Sequence, residues 1–208
     1  MAVSISLETD ARLKWQMQEQ LTTRLPEWFG QPESNRRYAA QAELLPGYDA
    51  AYNKAIPFAD PDGPSHEEWT KILDINLTGP MLLTKAAAPA LKRQGSGRIV
   101  NISSVAGLGP TGSSIAYAVS KAGLIHLTKC MAVALAPEVL VNCVAHGLPE
   151  GTRAAANLRP EQIEHGRRQS LLGRAADKDD VADQVVTMCR TDTMTGQTIV
   201  IDSGRTFH

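Results

Sequence analysis

The chain has 208 residues, of which 43% are hydrophobic and 21% are charged, so it is long enough to bury one sizeable core as a single domain. Its formal net charge is −1, which provides no broad basic surface for nucleic acid or an anionic membrane. We therefore expect no nucleic-acid partner and no membrane partner.

The cysteines and the amino terminus indicate the compartment. Cys130, Cys143 and Cys189 lie far apart in apolar runs without a Cys-x-x-Cys pair, a pattern typical of reduced, buried thiols. The first residues lack the basic start and apolar stretch of a signal peptide, and no run of about 18 apolar residues occurs. We expect a cytoplasmic protein, without a metal site because the histidines show no metal-ligand spacing.

The first 56 residues predict strands and helices with little periodicity to fix their bounds. A half-buried strand is expected over residues 3–7, a helix that ends near Leu25, a second helix over residues 34–45 and a short strand over residues 48–52. From residue 57 onward the pattern is sharper. We interpret residues 1–208 as one domain, made of a divergent segment 1–56 and a main segment 57–208.

The main segment predicts three helices alternating with three strands. The helices are expected from Ser65 to Gln94, from near Ala116 to Pro137, and over DKDDVADQVVTMC. The strands are expected over Arg98 to Ser103, VLVNCVA and QTIVID. Because the strands are apolar and alternate with helices, we predict an α/β fold with a parallel sheet covered on both faces. The second helix is apolar on most sides, which predicts burial in the domain or against a partner.

Three side chains in this segment could carry proton-transfer chemistry. Tyr117 and Lys121 are four positions apart on a predicted helix, so they share one face. An ammonium one turn away would stabilise the phenolate and lower the pKa of the tyrosine from its usual value near 10. Ser104 follows a predicted parallel strand, where α/β sheets bind ligands, and could hold a carbonyl oxygen. The set suits reduction of a carbonyl or oxidation of an alcohol.

These residues occur with RIVNISSVAG, LDINLTG, LAPEVLVN and MTGQTIVIDSG in one order. Over about residues 57 to 204 the sequence therefore resembles the short-chain dehydrogenase/reductase family, which implies a Rossmann-like fold. The resemblance implies that Tyr117 is the catalytic acid/base and that Lys121 lowers its pKa and binds the nicotinamide ribose. It implies that Ser104 polarises the substrate carbonyl and that Asn76 holds a water in a proton relay to Lys121. An asparagine inside a helix can also satisfy a neighbouring carbonyl or bend the helix.

The cofactor side departs from the family pattern. The family opens with Thr-Gly-x-x-x-Gly-x-Gly, whereas here the corresponding turn carries Glu8, Thr9 and Asp10. Among the other cofactor positions, Asn53 fits the Asn-Asn-Ala-Gly segment. His146 and Gly147 replace the Pro-Gly that borders the nicotinamide carboxamide. We therefore expect NADP(H) or NAD(H) as cofactor, bound weakly to a sheet that is truncated on its amino-terminal side.

The first fifty residues have a second resemblance, because LPEWFGQPESNRRYAAQAELLP is similar to the amino-terminal helices of GCN5-related N-acetyltransferases. The pyrophosphate loop of that family is missing, so acetyl transfer is not expected. The two resemblances together suggest a natural or artificial join of two gene fragments, and a truncated product is the alternative.

Three functions remain open at this point. The first is hydride transfer to or from a small carbonyl, alcohol or pterin-like substrate. The second is cofactor-free isomerisation or elimination by the same serine, tyrosine and lysine. The third is a non-catalytic remnant that only oligomerises. A dimer or tetramer is expected in each case, since the helix of Tyr117 and its predecessor resemble the dimer-forming helices of the family.

Overall fold

The computed structural model describes residues 63–148 and 160–206. The strands and helices expected before residue 57, the acetyltransferase-like stretch and Asn53 lie outside the described residues. The described part is a parallel sheet between helices, so the predicted fold class is confirmed.

The first described helical segment consists of two α-helices that a wider, π-helical turn joins. Helix α1 (His66–Leu73) begins with a capping box, in which Ser65 and Glu68 each bond the other's backbone amide. It runs through a π-helical turn (Asp74–Thr78) into α2 (Gly79–Gln94). The helix predicted from Ser65 to Gln94 is confirmed, and the π-helical turn was not predicted.

The described part of the sheet has three parallel strands, and their carboxyl ends form one edge. They are β1 (Gly97–Ser104), β2 (Val139–His146) and β3 (Thr198–Ile201), in the order β1-β2-β3. At the carboxyl edge Ser104 lies beside His146, and His146 lies beside Ile201. Among the described strands β1 pairs only with β2, so its other side, where truncation was expected, has no described neighbour.

Helices cover both faces of this sheet, and alternate strand residues form a separate core on each face. Residues of β1 and β2 pack with α2 and with α3 (Ile115–Leu135) on one face. On the other face they pack with α5 (Lys178–Arg190). Helix α4 (Pro160–Gln169) was not predicted, because its sequence PEQIEHGRRQ is too polar to show an apolar stripe.

Helix α3 is buried on the side that faces the sheet. Its length and its mean hydropathy of 1.3 would by themselves allow it to cross a membrane. It packs instead against β1 and β2 as a core helix. Its outer side leaves Val119 44% and Val133 84% exposed, so burial within the domain is only partial. Cys130 is also exposed on α3 and Cys189 is half-buried, so the prediction of three buried thiols is confirmed only for Cys143.

A glycine allows β1 and α3 to approach closely. Gly107 ends the short 3-10 turn (Val105–Gly107) that follows β1. A Cβ atom at this position would lie 2.6 Å from the carbonyl carbon of Lys121 and 2.7 Å from the amide nitrogen of Ala122. Both are backbone atoms of a packed helix, so neither can move aside without shifting α3.

We expect Gly107→Ala to lower the free energy of unfolding by roughly 1 to 3 kcal/mol, because the added methyl overpacks this contact. Gly109→Ala is the control, since nothing lies within 4 Å of the methyl it would add. Its effect should stay within about 0.5 kcal/mol in urea denaturation. Equal stabilities of the two variants would contradict the close contact.

Candidate active site

The structure brings Ser104, Tyr117 and Lys121 together at the carboxyl edge of the sheet. Ser104 is the last residue of β1, and the other two lie on the first turns of α3. The Ser114 side chain caps α3 by accepting a hydrogen bond from the Tyr117 amide at 3.1 Å. Ser104, Tyr117 and Lys121 are all buried, with 7%, 9% and 7% of their surface exposed, respectively. The Ser114 cap therefore fixes where α3 begins, and this places Tyr117 in its first turn, close to the end of β1.

Burial sets the acidity of Tyr117. Desolvation raises the pKa of its phenol, and a side-chain hydrogen bond with Ser104 opposes that rise. The sequence had predicted a lowered pKa through Lys121. The difference arises because the desolvation penalty is larger than the stabilisation that the neighbouring groups supply.

Lys121 is bonded to the backbone of β1. Its Nζ donates to the carbonyl of Ile102 at 3.1 Å and lies 5.6 Å from the centre of the Tyr117 ring. Burial lowers the pKa of Lys121 to about 8, against a smaller opposing effect of Cys143. An ammonium has three N–H donors, so two remain for a ligand after the bond to Ile102.

Asn76 lies in the π-helical turn and is only 2% exposed. Its side-chain oxygen and nitrogen both lack hydrogen-bond partners among the described residues. The turn packs against α3, where Gly123 leaves room for the Leu77 side chain. A buried amide in this condition is a site for an ordered water.

His146 and Gly147 lie at the end of β2. The Nδ1 atom of His146 is 2.6 Å from the carbonyl oxygen of Gly147, and because a carbonyl only accepts, Nδ1 carries the proton. Burial lowers the pKa of His146, the bond to Gly147 raises it, and the charge of Lys121 lowers it. A Cβ atom at Gly147 would lie 2.9 Å from the Cα atom of Asp202, which accounts for the glycine.

Comparison with known proteins identifies the family. A family model described as Enoyl-(Acyl carrier protein) reductase matches residues 48–206. The Bacillus subtilis short-chain dehydrogenase/reductase homolog YusR is 41% identical over 130 residues, which are 62% of this chain and 99% of that protein. The chain belongs to the short-chain dehydrogenase/reductase family.

Longer relatives of this family are matched over part of their length. The 3-oxoacyl-acyl-carrier-protein reductase FabG of Aquifex aeolicus is 39% identical over 140 residues, which are 66% of this chain and 56% of that protein. A short-chain dehydrogenase from Leptospira borgpetersenii, solved with bound NAD+, is 28% identical with a TM-score of 0.66, covering 85% of this chain and 72% of that one. The chain spans 63% and 66% of the first two curated relatives that it matches.

The described residues fit the nicotinamide end of a dinucleotide. Lys121 offers two N–H donors to ribose hydroxyls, and Ser104 and Tyr117 offer hydroxyls beside it. Residues 8–10, where the sequence predicts the turn that would correspond to the family's phosphate loop, lie outside the described residues. The fit therefore concerns one end of the cofactor.

The buried ammonium should cost stability at neutral pH. Because the pKa of Lys121 is lower in the folded protein, 8 against 10.5, its burial destabilises the fold below pH 8 and this penalty fades as the pH rises toward 10.5. We expect Lys121→Met to raise the free energy of unfolding by roughly 3 kcal/mol at pH 7 and by less than half of that at pH 10. Urea denaturation at both pH values measures this difference.

The exposed Lys129 on the same helix supplies the control. Lys129→Met should change the stability by less than about 0.5 kcal/mol at either pH. If Lys121→Met were no more stable than the unaltered protein at pH 7, the buried charge would not carry the cost assigned to it.

Proposed function

We propose that this chain transfers a hydride between NADPH or NADH and a small carbonyl or alcohol substrate. The observation that carries the proposal is the meeting of Ser104, Tyr117 and Lys121 at the carboxyl edge of a parallel sheet, where α/β folds bind ligands. Membership of the short-chain dehydrogenase/reductase family supports it. The alternatives of cofactor-free proton chemistry and of a non-catalytic remnant have no separate observation in their favour.

The proposed mechanism is a proton transfer matched to reduction of the carbonyl carbon. A bound nicotinamide would supply the hydride, that is, the hydrogen at the carbonyl carbon with its two electrons. Tyr117 donates its phenolic proton to the carbonyl oxygen, and Ser104 holds that oxygen by a hydrogen bond. Lys121 offsets the negative charge left on the phenolate. A water on Asn76 would return the proton from solvent, which gives its unpartnered amide a role.

The cofactor contacts of the proposal divide between described and undescribed residues. Tyr117 and Lys121 would hold the ribose, and His146 and Gly147 would border the carboxamide. Asn53 would flank the cofactor from the segment before residue 57. The choice between NADP(H) and NAD(H) rests on none of these residues.

We propose 3-oxoacyl thioesters as the first substrate class to test. The support comes from FabG, a relative whose name specifies 3-oxoacyl reduction, and from a solved Brucella melitensis structure named as the same kind of reductase, 29% identical with a TM-score of 0.65 over 72% of this chain and 59% of that one. A pterin-like substrate is the other small carbonyl-type compound that the sequence suggested, and it belongs in the same panel.

A homodimer or tetramer is part of the proposal. The outer sides of α2 and α3 expose Leu82, Val119 and Val133, the last with 84% of its surface in contact with solvent. Burying these apolar side chains against a second copy would remove them from water. A dimer would therefore use the two helices that the sequence resemblance indicated.

We expect Tyr117→Phe to reduce kcat at least a thousandfold without unfolding the protein, because it removes the proton donor and hardly changes side-chain volume. Turnover of an oxoacyl thioester, with thermal melting as the measure of folding, tests this. His126→Ala, an exposed change on the same helix, should keep normal turnover. Near-normal kcat in Tyr117→Phe would remove the catalytic assignment.

We also expect dinucleotide affinity in the millimolar range. Phosphate binding at a helix start needs free N–H donors and close backbone approach, and the corresponding turn carries Glu8 and Asp10 in place of glycines. Losing two hydrogen bonds to a charged oxygen, each worth roughly 1.5 to 3 kcal/mol, weakens binding by about two to four orders of magnitude.

Calorimetric titration with NADPH and with NADH, at low and at high salt, measures this affinity. Added salt should strengthen binding, because it screens the repulsion between carboxylates and phosphates. A low-micromolar dissociation constant would contradict the expectation and would require another segment or subunit to supply the phosphate site.

A further inference from the structure

Three consecutive residues at the end of β1 each contact the part of α3 that carries Tyr117 and Lys121. The carbonyl of Ile102 accepts from Lys121 Nζ at 3.1 Å. The hydroxyl of Ser103 donates to the backbone carbonyl of Lys121 at 2.9 Å. The Ser104 side chain lies beside the Tyr117 phenol and lowers its pKa. Lys121 is thus attached to the strand at its side chain and at its backbone.

Ser103 is the member of this group that has no place in the proposed chemistry. Its surface is 0% exposed, and its side chain turns toward α3, on the sheet face opposite to that of Ile102. A hydroxyl buried at that position costs free energy unless it is hydrogen-bonded, so an apolar residue would serve packing as well or better. The bond to the Lys121 carbonyl is what the serine supplies.

A second polar contact joins the same strand to the same helix farther from the site. Asn101 Nδ2 donates to Thr128 Oγ1 at 2.9 Å, and Thr128 in turn donates to the carbonyl of Leu124. Both side chains are buried, with 6% and 0% exposed. Thr128 lies about two turns beyond Lys121 and bonds no residue of the proposed active site. It provides a matched comparison for Ser103.

We propose that Ser103 is a positioning residue, which holds α3 at the point along β1 where the Tyr117 hydroxyl meets Ser104. For turnover, the inference rests on the proposed function. The physical reason is the adjacency of Ser103 and Ser104 on one strand. The bond from Ser103 to the Lys121 carbonyl fixes the distance between Ser104 and Tyr117, because Tyr117 lies one helical turn from Lys121.

The close contact of Gly107 supports this role. The 3-10 turn approaches the backbone of Lys121 and Ala122, which limits movement of α3 toward β1. It does not limit sliding along the strand, which the directional bond from Ser103 resists. Small displacements are costly in an active site, since a shift of about 1 Å can reduce the rate by roughly a hundredfold.

The test uses Ser103→Ala and Thr128→Val in the full chain. Ser103→Ala leaves no orphaned acceptor, because the Lys121 carbonyl lies inside α3 and keeps its intrahelical bond, so the variant should fold. We expect kcat for an oxoacyl thioester to fall about tenfold with KM unchanged, as expected for an interaction needed in the transition state. Thr128→Val should keep the kcat of the unaltered protein.

A second readout does not require turnover. The phenolate absorbance of Tyr117, isolated by subtracting the spectrum of Tyr117→Phe, reports its pKa during a pH titration. The contact with Ser104 lowers the pKa of Tyr117. Sliding of α3 would weaken this contact, so the pKa of Tyr117 should rise in Ser103→Ala and not in Thr128→Val. The other ionisable groups near Tyr117 and Ser104 are Lys121 on α3 and Cys143 and His146 on β2. Both variants retain all three.

The two readouts separate the two proposals. If the unaltered protein turns over no carbonyl substrate, the proposed function fails and the phenolate titration alone decides the role of Ser103. If Ser103→Ala leaves the Tyr117 pKa unchanged, or changes it no more than Thr128→Val does, the positioning role is overturned. An unchanged kcat in an active protein overturns it as well.

Discussion

The attachment of α3 to the carboxyl end of β1 is the constraint on which the site depends. One strand end supplies a carbonyl for Lys121 Nζ, a hydroxyl for the Lys121 backbone and a hydroxyl for Tyr117. Gly107 brings the following turn into direct contact with the same helix. The geometry of the candidate site is therefore a property of one strand–helix junction, and the rest of the described sheet supports that junction.

The site is built from polar groups that burial disfavours. Desolvation raises the pKa of Tyr117 and lowers that of Lys121 to about 8, so both side chains are held in an environment that opposes their charged forms. Burial of such groups lowers stability, and it brings the pKa of Lys121 closer to neutral pH while it moves that of Tyr117 away from it. The surrounding apolar clusters on both faces of the sheet offset this cost.

The sequence was sufficient to predict the parallel sheet and the juxtaposition of Ser104, Tyr117 and Lys121, because a strand end and a four-residue helical spacing are local patterns. It missed helix α4, whose residues are polar, and the π-helical turn around Asn76, which leaves no mark on apolar periodicity. It also missed the role proposed for Ser103. A polar residue inside an apolar strand was the only available signal, and its partner is a backbone atom.

We propose that the serine, tyrosine and lysine at this junction serve a direct hydride transfer. The most direct measurement follows deuterium from NADPH, labelled at the transferable position of the nicotinamide ring, into the product of a 3-oxoacyl thioester. Direct transfer would place deuterium on the carbinol carbon at saturating cofactor, and no deuterated product is expected with Tyr117→Phe. Turnover of the substrate without dinucleotide, or product whose carbinol carbon carries only solvent hydrogen, would contradict it.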